Sequence, residues 1–391
     1  MNGGPTLDIR GYRRSDGRIG VRNHVLVFPV SYEMNQIAQS IVRQVPEAVT
    51  FRNQHGTDQS GDDLTQTLRV YNGFVTHPNV YGVVILSWGH EPYDLQALAN
   101  AAVAAGKAVE LITLRASGGM RQAVQKGVNA ATQFVKDSAS VLQEPVPLAD
   151  VILGTECGGS DACSGISANP ALGVVTDILV SHGGISILSE TTELIGAEHL
   201  LAKRAVSKEV GDKLLYIVDR IEKNAMKMGV DIRGAQPAPG NIAGGITTIE
   251  EKSLGCIHKA GSAPIQEVIE YGERPTKHGL VVMDTPGHDI EQLTGMVAGG
   301  AQVVIFTTGR GTPTGSSIVP VIKVATNTVT FDKMNDNIDI NAGTIIDGNE
   351  TVVEVGGRLF DFMLDVLNGH QTKAEKLGHR EFGIYRIGAS F

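Results

Sequence analysis

Cysteine is scarce in this sequence, and its scarcity limits where the protein works. The chain has 3 cysteines among 391 residues, at positions 157, 163 and 256. So few cysteines cannot build a disulfide framework, and they fit a reducing compartment. The first residues, MNGGP, also lack the basic start and the apolar stretch of a secretory signal. We therefore expect a cytoplasmic protein.

Long apolar runs and a surplus of basic residues are missing as well. The longest apolar runs, such as Val80 to Leu86, have the length of a strand, whereas a membrane-spanning helix needs about 20 residues. The chain has 42 acidic and 33 basic residues, a formal net charge of −9. An acidic chain without a basic cluster attracts neither nucleic acid nor an anionic membrane. A small anion in a local basic pocket remains a suitable ligand.

Two nucleotide-binding patterns are absent, while glycine is abundant. The sequence has neither the Gly-Lys-Ser/Thr end of a phosphate loop nor the G-x-G-x-x-G of a dinucleotide loop, so we expect no ATP and no NAD. Glycine accounts for 47 of 391 residues, well above an average of about 7%. Its doublets at 158–159, 183–184, 244–245 and 299–300 lie beside apolar runs. They indicate backbone-lined loops around one site.

Strand-sized and helix-sized apolar patterns alternate along the chain, which is typical of parallel strands with crossover helices. We predict an α/β protein of two Rossmann-like or doubly wound domains, an N-terminal domain at 1–145 and a catalytic C-terminal domain at 146–391. The first has predicted strands at 24–30, 80–87 and 108–114, helices at 35–43, 94–105 and 120–136, and then a linker at 142–148. The second has predicted strands at 151–153, 185–188, 280–283 and 303–307, helices at 170–181, 193–227 and 250–259, and a long loop at 234–245.

Candidate metal ligands lie in two polar loops. The segment ECGGSDACSG follows a predicted strand, where free backbone N–H groups favour an anion. Cys157 is either a metal ligand or a small buried apolar residue. Asp161 is either a metal ligand or a turn and cap residue. His55, in the loop HGTD, completes the candidate metal set, and Ser160 is assigned to the substrate.

Three candidate catalytic residues lie outside these two loops. Glu190 follows the predicted strand 185–188, at the edge where α/β sheets place a general base. Lys252 is a second candidate base or a cationic clamp, although a solvated position in a first helical turn is the alternative. His182 is the candidate acid. Glu193 is interpreted as a partner of the helix dipole.

Two glycine-rich loops are predicted to bind the carboxylate of a substrate. Arginine can grip a carboxylate through two parallel, charge-assisted hydrogen bonds, and backbone amides add further donors. In the second loop Thr248 and Glu251 also fit a capping box, which is the alternative meaning of that segment. The candidate substrate-binding residues are Thr308, Arg310, Gly311 and Thr314 in FTTGRGTPTGS, and Asn241, Gly244 and Gly245 in PGNIAGGITT.

Eight long segments of the chain form one ordered set. They are GYRRSDGRIGVRNHV, HPNVYGVVIL, ECGGSDACSGISANPALG, HGGISILSETTELIGAEHLL, PGNIAGGITTIEEKSLG, MDTPGHD, FTTGRGTPTGS and DINAGTI. Together they resemble the altronate/galactarate dehydratase family, in order and over nearly the whole chain.

The resemblance implies removal of water from a sugar acid to give a 2-keto-3-deoxy acid, with Fe²⁺ or Mn²⁺ as the divalent metal. Loss of the C2 proton beside a carboxylate builds an enediolate-like dianion, which fixed donors or a cation must stabilise. Arg310 and glycine amides would do so, Glu190 or Lys252 would take the proton, and His182 or a metal-bound water would help hydroxide leave. Family members often carry a small domain of about a hundred residues before the motif that begins here at Gly11. We therefore expect a separate small subunit, and a homo-oligomer.

One departure from the family pattern keeps other functions open. Cysteines that the family commonly has in the loops matching Tyr32, Gln59 and His90 are absent here, while Cys157 is kept. The large subunit of (2R)-sulfolactate sulfo-lyase shares the split form and is the alternative enzyme. A non-catalytic sugar-acid binding subunit is the alternative from another class. A nicotinamide-dependent oxidoreductase would need the dinucleotide loop that is missing.

Overall fold

The first half of the chain forms a small parallel sheet between two pairs of helices. A computed structural model describes residues 8–388. The strands of the first half are β1 Asp8–Arg13, β2 Ile19–Gly20, β3 His24–Pro29, β4 Ala48–Val49, β5 Val80–Ser87, β6 Ala108–Thr113 and β7 Glu144–Pro147. Its helices are α1 Asn35–Val42, α2 Gly61–Val75, α3 Leu95–Ala104 and α4 Met120–Ser138. The sheet order is β4-β3-β5-β6, all parallel.

The second half forms a larger parallel sheet of the same kind. Its strands are β8 Ile152–Gly158, β9 Ile185–Leu188, β10 Ile265–Ile269, β11 Gly279–Met283, β12 Val303–Thr308, β13 Val321–Ala325 and β14 Ile340–Asn341. Its helices are α5 Ala168–Ser181, α6 Glu198–Ala202, α7 Lys208–Lys227, α8 Ile232–Ala235, α9 Pro239–Ala243, α10 Ile249–Cys256, α11 Asp289–Ala298, α12 Thr328–Lys333, α13 Val352–Leu367 and α14 Lys373–Leu377. The order is β10-β11-β9-β8-β12-β13-β14.

This strand order decides where a ligand fits. From β8 the chain first adds strands on one side, through β9, and later on the other, through β12. The sheet therefore changes direction between β8 and β12, and such a switch opens a crevice at the carboxyl ends of the strands. The strands of this sheet are buried along their length because helices cover both faces. The α/β class predicted from the sequence is confirmed.

Three local predictions were wrong. The proposed linker contains β7, which pairs antiparallel with β1 at the edge of a small third sheet, a place that tolerates its two prolines. The helix predicted at 193–227 is broken into a short 3₁₀ turn, α6 and α7. The loop at 234–245 includes the end of α8 and all of α9. The domain limits 1–145 and 146–391 stay predictions.

The two halves share one apolar core. Buried residues of α2 and α3 pack in the same cluster as residues of β9 and α11. The closest approach is at Gly73 of α2, where an added Cβ would lie 2.3 Å from the carbonyl oxygen of Ala298. Only a residue without a side chain fits there. None of the helices within residues 8–388 is both long and apolar enough to span a bilayer.

We expect the substitution Gly73→Ala to lower the free energy of unfolding by about 1–3 kcal/mol, the usual cost of overpacking. The matched control is Gly357→Ala in α13, because nothing lies within 4 Å of a Cβ at that position. Both changes place alanine inside a helix, so the control should gain about 0.5–1 kcal/mol. Urea denaturation of both variants measures the difference. Equal effects would show that α2 and α11 are not in tight contact.

Candidate active site

Four buried side chains from separate elements meet at the carboxyl edge of the large sheet. Cys157 is the penultimate residue of β8, Glu190 and Glu193 follow β9, and Cys256 ends α10. One ligand atom from each lies within 4.8 Å of all the others. The thiol of Cys157 is 3.0 Å from the carboxylate of Glu193 and 3.4 Å from that of Glu190. We call these four residues the Cys/Glu cluster.

Two lysines supply the positive charge beside the cluster. Lys259 is fully buried, and its Nζ lies 2.5 Å from Oε2 of Glu190 and 3.0 Å from Sγ of Cys157. Its position is fixed because the hydroxyl of Thr176 donates to its backbone carbonyl. Lys252 lies nearer the surface, with its Nζ 2.9 Å from Oε1 of Glu193. Each buried carboxylate of the cluster therefore has its own ammonium partner.

The backbone of Glu190 is strained, and its conformation directs the carboxylate towards Cys157. Its φ of 69° is the one positive φ at a non-glycine residue within residues 8–388. This left-handed conformation costs roughly 1–2 kcal/mol for a residue with a side chain. It is held by a hydrogen bond from the Glu190 amide to the hydroxyl of Thr285, and it leaves the carboxylate 3.3 Å from the amide of Cys157. Strain of this kind concentrates at functional sites.

The pKa values of the two cluster carboxylates are shifted in opposite directions. Burial, with the neighbouring charge of Glu193, raises the pKa of Glu190 to about 7. Burial would also raise the pKa of Glu193, but the charges of Lys252 and Lys259 outweigh it and lower that pKa to about 2. A pair of carboxyl groups separated in this way can divide the roles of base and fixed charge. Glu190 is suited to exchange a proton, and Glu193 to remain ionised.

A further carboxyl group, Glu156, lies beside the cluster without a partner. It is fully buried, and neither of its oxygens forms a hydrogen bond within residues 8–388. Burial, reinforced by the charges of Glu190 and Asp289, raises its pKa well above the usual value. Asp289 packs against β8 at Gly158, where an added Cβ would lie 2.5 Å from its carboxylate.

The donor set of the cluster fits a divalent transition metal. Two thiols and two carboxylates give mixed sulphur and oxygen ligands, which such ions accept. With the thiols protonated, the two carboxylates balance the two lysines. Burial raises the pKa of the Cys256 thiol well above its usual value, so binding must displace protons from the sulphurs. Loss of both protons leaves a charge of minus two, which one divalent cation neutralises.

A pocket opens from the cluster to the surface. It has a volume of about 220 Å³ and a wall of both polar and apolar groups. Cys157 and Lys252 line it, together with Ser160 and Asp161. His258 also lines this pocket, a residue that the sequence did not single out. A small acid can therefore reach the thiol and ammonium groups from solvent.

The predicted anion loops converge on the wall of this pocket. The side-chain amide of Asn241 donates to the carbonyl of Ser160, and the amide of Ala162 donates to the carbonyl of Gly244. Asn241 thus positions the loop after β8. Gly245 follows with a φ of 94°, a conformation that suits glycine.

Arg310 is the unpaired cation of this region. Its guanidinium lies against the backbone of Gly240, it is exposed, and it makes no hydrogen bond or ion pair with any residue of 8–388. It follows β12, across the sheet switch from β8. The neighbouring Gly311 amide donates to the hydroxyl of Thr308, so that amide already has a partner. Thr314 is buried and bonded to Thr312.

Two predicted site histidines do not reach the cluster. His182 ends α5, three residues before β9 begins, and is exposed. Since the strands are parallel, it lies at the amino edge of the sheet, opposite Glu190. His55 places its Nε2 2.7 Å from the carbonyl of Ile384, where it ties the C-terminal segment to the first half.

Asp161 also stays outside the Cys/Glu cluster. Its carboxylate accepts hydrogen bonds from the hydroxyls of Ser164 and Thr326 and from the amide of Asn327. Both oxygens are thereby occupied in joining the loop after β8 to the chain after β13. Of the predicted metal ligands, only Cys157 lies in the cluster. Glu190, which was predicted as a catalytic base, lies in the cluster with it.

Sequence reasoning missed three members of the site. Glu193 was assigned to a helix dipole, but its 3₁₀ turn is too short for one, and its carboxylate instead faces Cys157. Cys256 and Lys259 lie about a hundred residues after Cys157 in the chain and carry no motif of their own. Their one signal is position, since Cys256 ends the helix that contains the predicted Lys252 and Lys259 lies in the 3₁₀ turn directly after it.

We expect Cys256→Ala to weaken divalent metal binding by more than about 100-fold, because loss of even an outer partner of a ligand can cost that much. Equilibrium dialysis with Fe²⁺ and Mn²⁺, followed by elemental analysis, measures the affinity. The matched control is Cys163→Ala, since Cys163 lies outside the cluster and is partly exposed. Unchanged affinity in the Cys256 variant would argue against a metal at the cluster.

Comparison with known proteins gives two matches to family models. The model described as D-galactarate/Altronate dehydratase, C-terminal, matches residues 148–390. The model described as D-galactarate dehydratase/Altronate hydrolase, second domain, matches residues 11–139.

Individual proteins are similar over most of the chain. Altronate dehydratase of Bacillus subtilis is 34% identical over 97% of this chain and 78% of its own length. The (2R)-sulfolactate sulfo-lyase subunit beta of Chromohalobacter salexigens is 34% identical over 96% of this chain and 97% of its own length. Galactarate dehydratase (L-threo-forming) of Escherichia coli is 43% identical over 68% of this chain and 51% of its own length.

Proposed function

Because this chain belongs to the D-galactarate/altronate dehydratase family and is a hydro-lyase by that membership, we propose that it removes water from a sugar acid such as altronate or galactarate to give a 2-keto-3-deoxy acid. The observation that carries the proposal is the Cys/Glu cluster with its two lysines, because Cys157 and Lys252 of this group line an open pocket. A site of this kind can take a proton from carbon while it holds a negatively charged substrate.

Glu190 is the base in this proposal. Its strained backbone and raised pKa fit a carboxylate that accepts the C2 proton. Lys252 was the second candidate base, but Glu193 beside it raises its pKa, so it keeps its proton. Lys252 lines the pocket and is better suited to stabilise the enediolate or to protonate the departing C3 hydroxyl. Water then leaves, and the enol product becomes the ketone.

Arg310 and the surrounding loops bind the substrate carboxylate. The guanidinium has no protein partner within residues 8–388 and lies on the loop after β12, beside the loop after β8. A bidentate Arg–carboxylate contact is charge-assisted and directional. Ser160, which lines the pocket, adds a hydroxyl group. The predicted amides of Gly244 and Gly245 are not free for this role, because they already donate to the carbonyls of Gly240 and Ile242.

The proposed cofactor is Fe²⁺ or Mn²⁺. Cys157, Glu190, Glu193 and Cys256 would hold it. When bound it would supply Lewis acidity beside the substrate oxygens.

Sulfolactate is the second candidate substrate, because the sulfo-lyase subunit beta is as similar to this chain as altronate dehydratase is. Each is 34% identical, over 96% and 97% of this chain respectively. Proton removal beside the carboxylate would be the same, with sulfite as the leaving group. We further propose a separate small subunit, a homo-oligomeric assembly and a cytoplasmic location.

The test is an assay of anaerobically purified protein, reconstituted with Fe²⁺ or Mn²⁺, against altronate, galactarate and (2R)-sulfolactate. Formation of a 2-keto acid without sulfite supports the dehydratase, and release of sulfite supports the alternative. A small-subunit candidate is added in parallel reactions. Saturable binding of a sugar acid without any turnover, in every combination, would instead indicate a binding subunit.

We expect Arg310→Met to raise the KM for the sugar acid by about 10- to 100-fold, in line with the roughly 1.5–3 kcal/mol of a charged hydrogen bond. The protein should stay folded, because the Arg310 side chain is exposed. Steady-state kinetics measures the change, with Arg121→Met, on the exposed side of α4, as the control. An unchanged KM would remove Arg310 from the substrate site.

A further inference from the structure

A second pocket lies at the seam between the two halves of the chain. It has a volume of about 510 Å³, and none of its lining residues lines the pocket beside Cys157. Its walls come from α1 and the loop after β4, from Ile290 in α11 and from the C-terminal segment at 378–382. We call it the seam pocket. A ligand there would contact both halves at once.

The floor of the seam pocket is rigid and apolar. The rings of Phe51 and Phe382 stack with centroids 4.0 Å apart and planes at 20°. Both rings are buried, and Phe74 packs edge-on against each of them. The stack joins the loop after β4 to the C-terminal segment, so the residues next to each ring have fixed backbone positions.

Those neighbouring residues are two arginines without partners. Arg52 follows Phe51, Arg380 lies two residues before Phe382, and both line the pocket. Neither guanidinium forms a hydrogen bond or an ion pair with any residue in the range 8–388. Elsewhere, Arg22 and Arg220 each pair with a carboxylate. Both arginines are exposed, so each guanidinium group finds its countercharge in solvent and is free to bind an anion.

The remaining polar groups of the pocket leave it positive. Glu381 lines it, but an oxygen of its carboxylate accepts a hydrogen bond from the amide of Gly315. Two positive charges thus face one negative charge that is already engaged. Gln39 and Gln54 line the same wall and bring amide donors.

We propose that the seam pocket binds a small dianion, phosphate or a short dicarboxylate, between Arg52 and Arg380. Guanidinium groups bind both kinds of anion through parallel charge-assisted hydrogen bonds. The aromatic floor limits the depth of the site and keeps water from one side. The site is independent of the proposed dehydration, because it shares no lining residue with the pocket at the Cys/Glu cluster.

Isothermal titration of the full chain with inorganic phosphate and, separately, with malonate tests the site, with chloride keeping the ionic strength constant. We expect one saturable site per chain, and the tighter of the two anions identifies the class of ligand. Arg52→Gln and Arg380→Gln should each weaken binding at least 10-fold. Arg121→Gln on α4 is the matched control and should bind as the wild type does.

The variant Arg310→Gln separates this proposal from the proposed active site. If it binds the anion as the wild type does, while the two seam variants do not, the seam pocket is supported. If binding is lost in Arg310→Gln and kept in the seam variants, the anion occupies the substrate site and the proposal is overturned. Absence of saturable binding to the wild type overturns it as well. Circular dichroism confirms that each variant is folded.

Discussion

Replacing Glu190 by glutamine is expected to reduce turnover of the sugar acid by about 10²- to 10⁴-fold, the usual contribution of a general base. The amide cannot accept the C2 proton, although it has nearly the same shape as the carboxylate. The pKa of Glu190 is raised to about 7 in the metal-free protein, and a bound cation would lower it. The wild-type rate of the metal-loaded protein should therefore fall with decreasing pH at a value below 7, where the base becomes protonated. The measurement is kcat as a function of pH with the metal-loaded protein.

A matched carboxylate controls for indirect effects of this change. Glu47 is exposed and far along the chain from the cluster, so Glu47→Gln should keep the wild-type rate and pH profile. Metal content is measured for both variants, because Glu190 is also a member of the cluster. A Glu190→Gln protein that retains metal and full turnover would exclude Glu190 as the base. Reduced turnover with wild-type metal content would separate the role in proton transfer from the role as a ligand.

Replacing Lys259 by methionine is expected to lower the free energy of unfolding of the metal-free protein by about 3–5 kcal/mol, the cost of breaking a buried ion pair by removing one partner. Lys259 and Glu190 are both buried, with side chains 0% and 1% exposed. Without the ammonium group the carboxylate and the nearby thiols lose their countercharge. Methionine fills a similar volume, so the loss reports on the charge more than on a cavity. Urea denaturation measures it.

The control for Lys259 is a lysine whose ion pair is on the surface. Lys208 and Asp212 pair along α7 with side chains 82% and 58% exposed. Pairs of this kind contribute about 0–1 kcal/mol, so Lys208→Met should change stability little. Equal stability of the Lys259 variant and the wild type would mean that the cluster carboxylates are neutral without their lysine. A divalent metal should stabilise the Lys259 variant more than the wild type, since the ion would replace the missing charge.

The sequence was a good guide wherever function depended on local pattern. Alternating apolar segments predicted the α/β class, because parallel strands buried on both faces have continuous apolar runs. Cys157 and Glu190 were singled out because each follows such a run, and both lie in the cluster. Arg310 and Asn241 were predicted from glycine-rich segments, and their role in substrate binding stays a prediction.

The local sequence pattern did not show at which edge of the sheet a polar residue lies. His182 and Glu190 are close in the chain, on either side of β9, yet the strand separates them because its two ends lie at opposite edges of the sheet. Likewise β7 was mistaken for a linker, because its prolines are tolerated only at an edge that the sequence does not reveal.

The sequence by itself determined the class of fold and the polar loops that follow strands, and it offered candidates for binding a carboxylate. Only the tertiary structure decided which of these residues meet. Lys259 pairs with Glu190 across 69 positions and contacts Cys157 across 102. Such contacts depend on the order of strands in the sheet and on where α10 crosses it. The apolar pattern of a segment shows which of its residues are buried. It does not show which other segment packs against them.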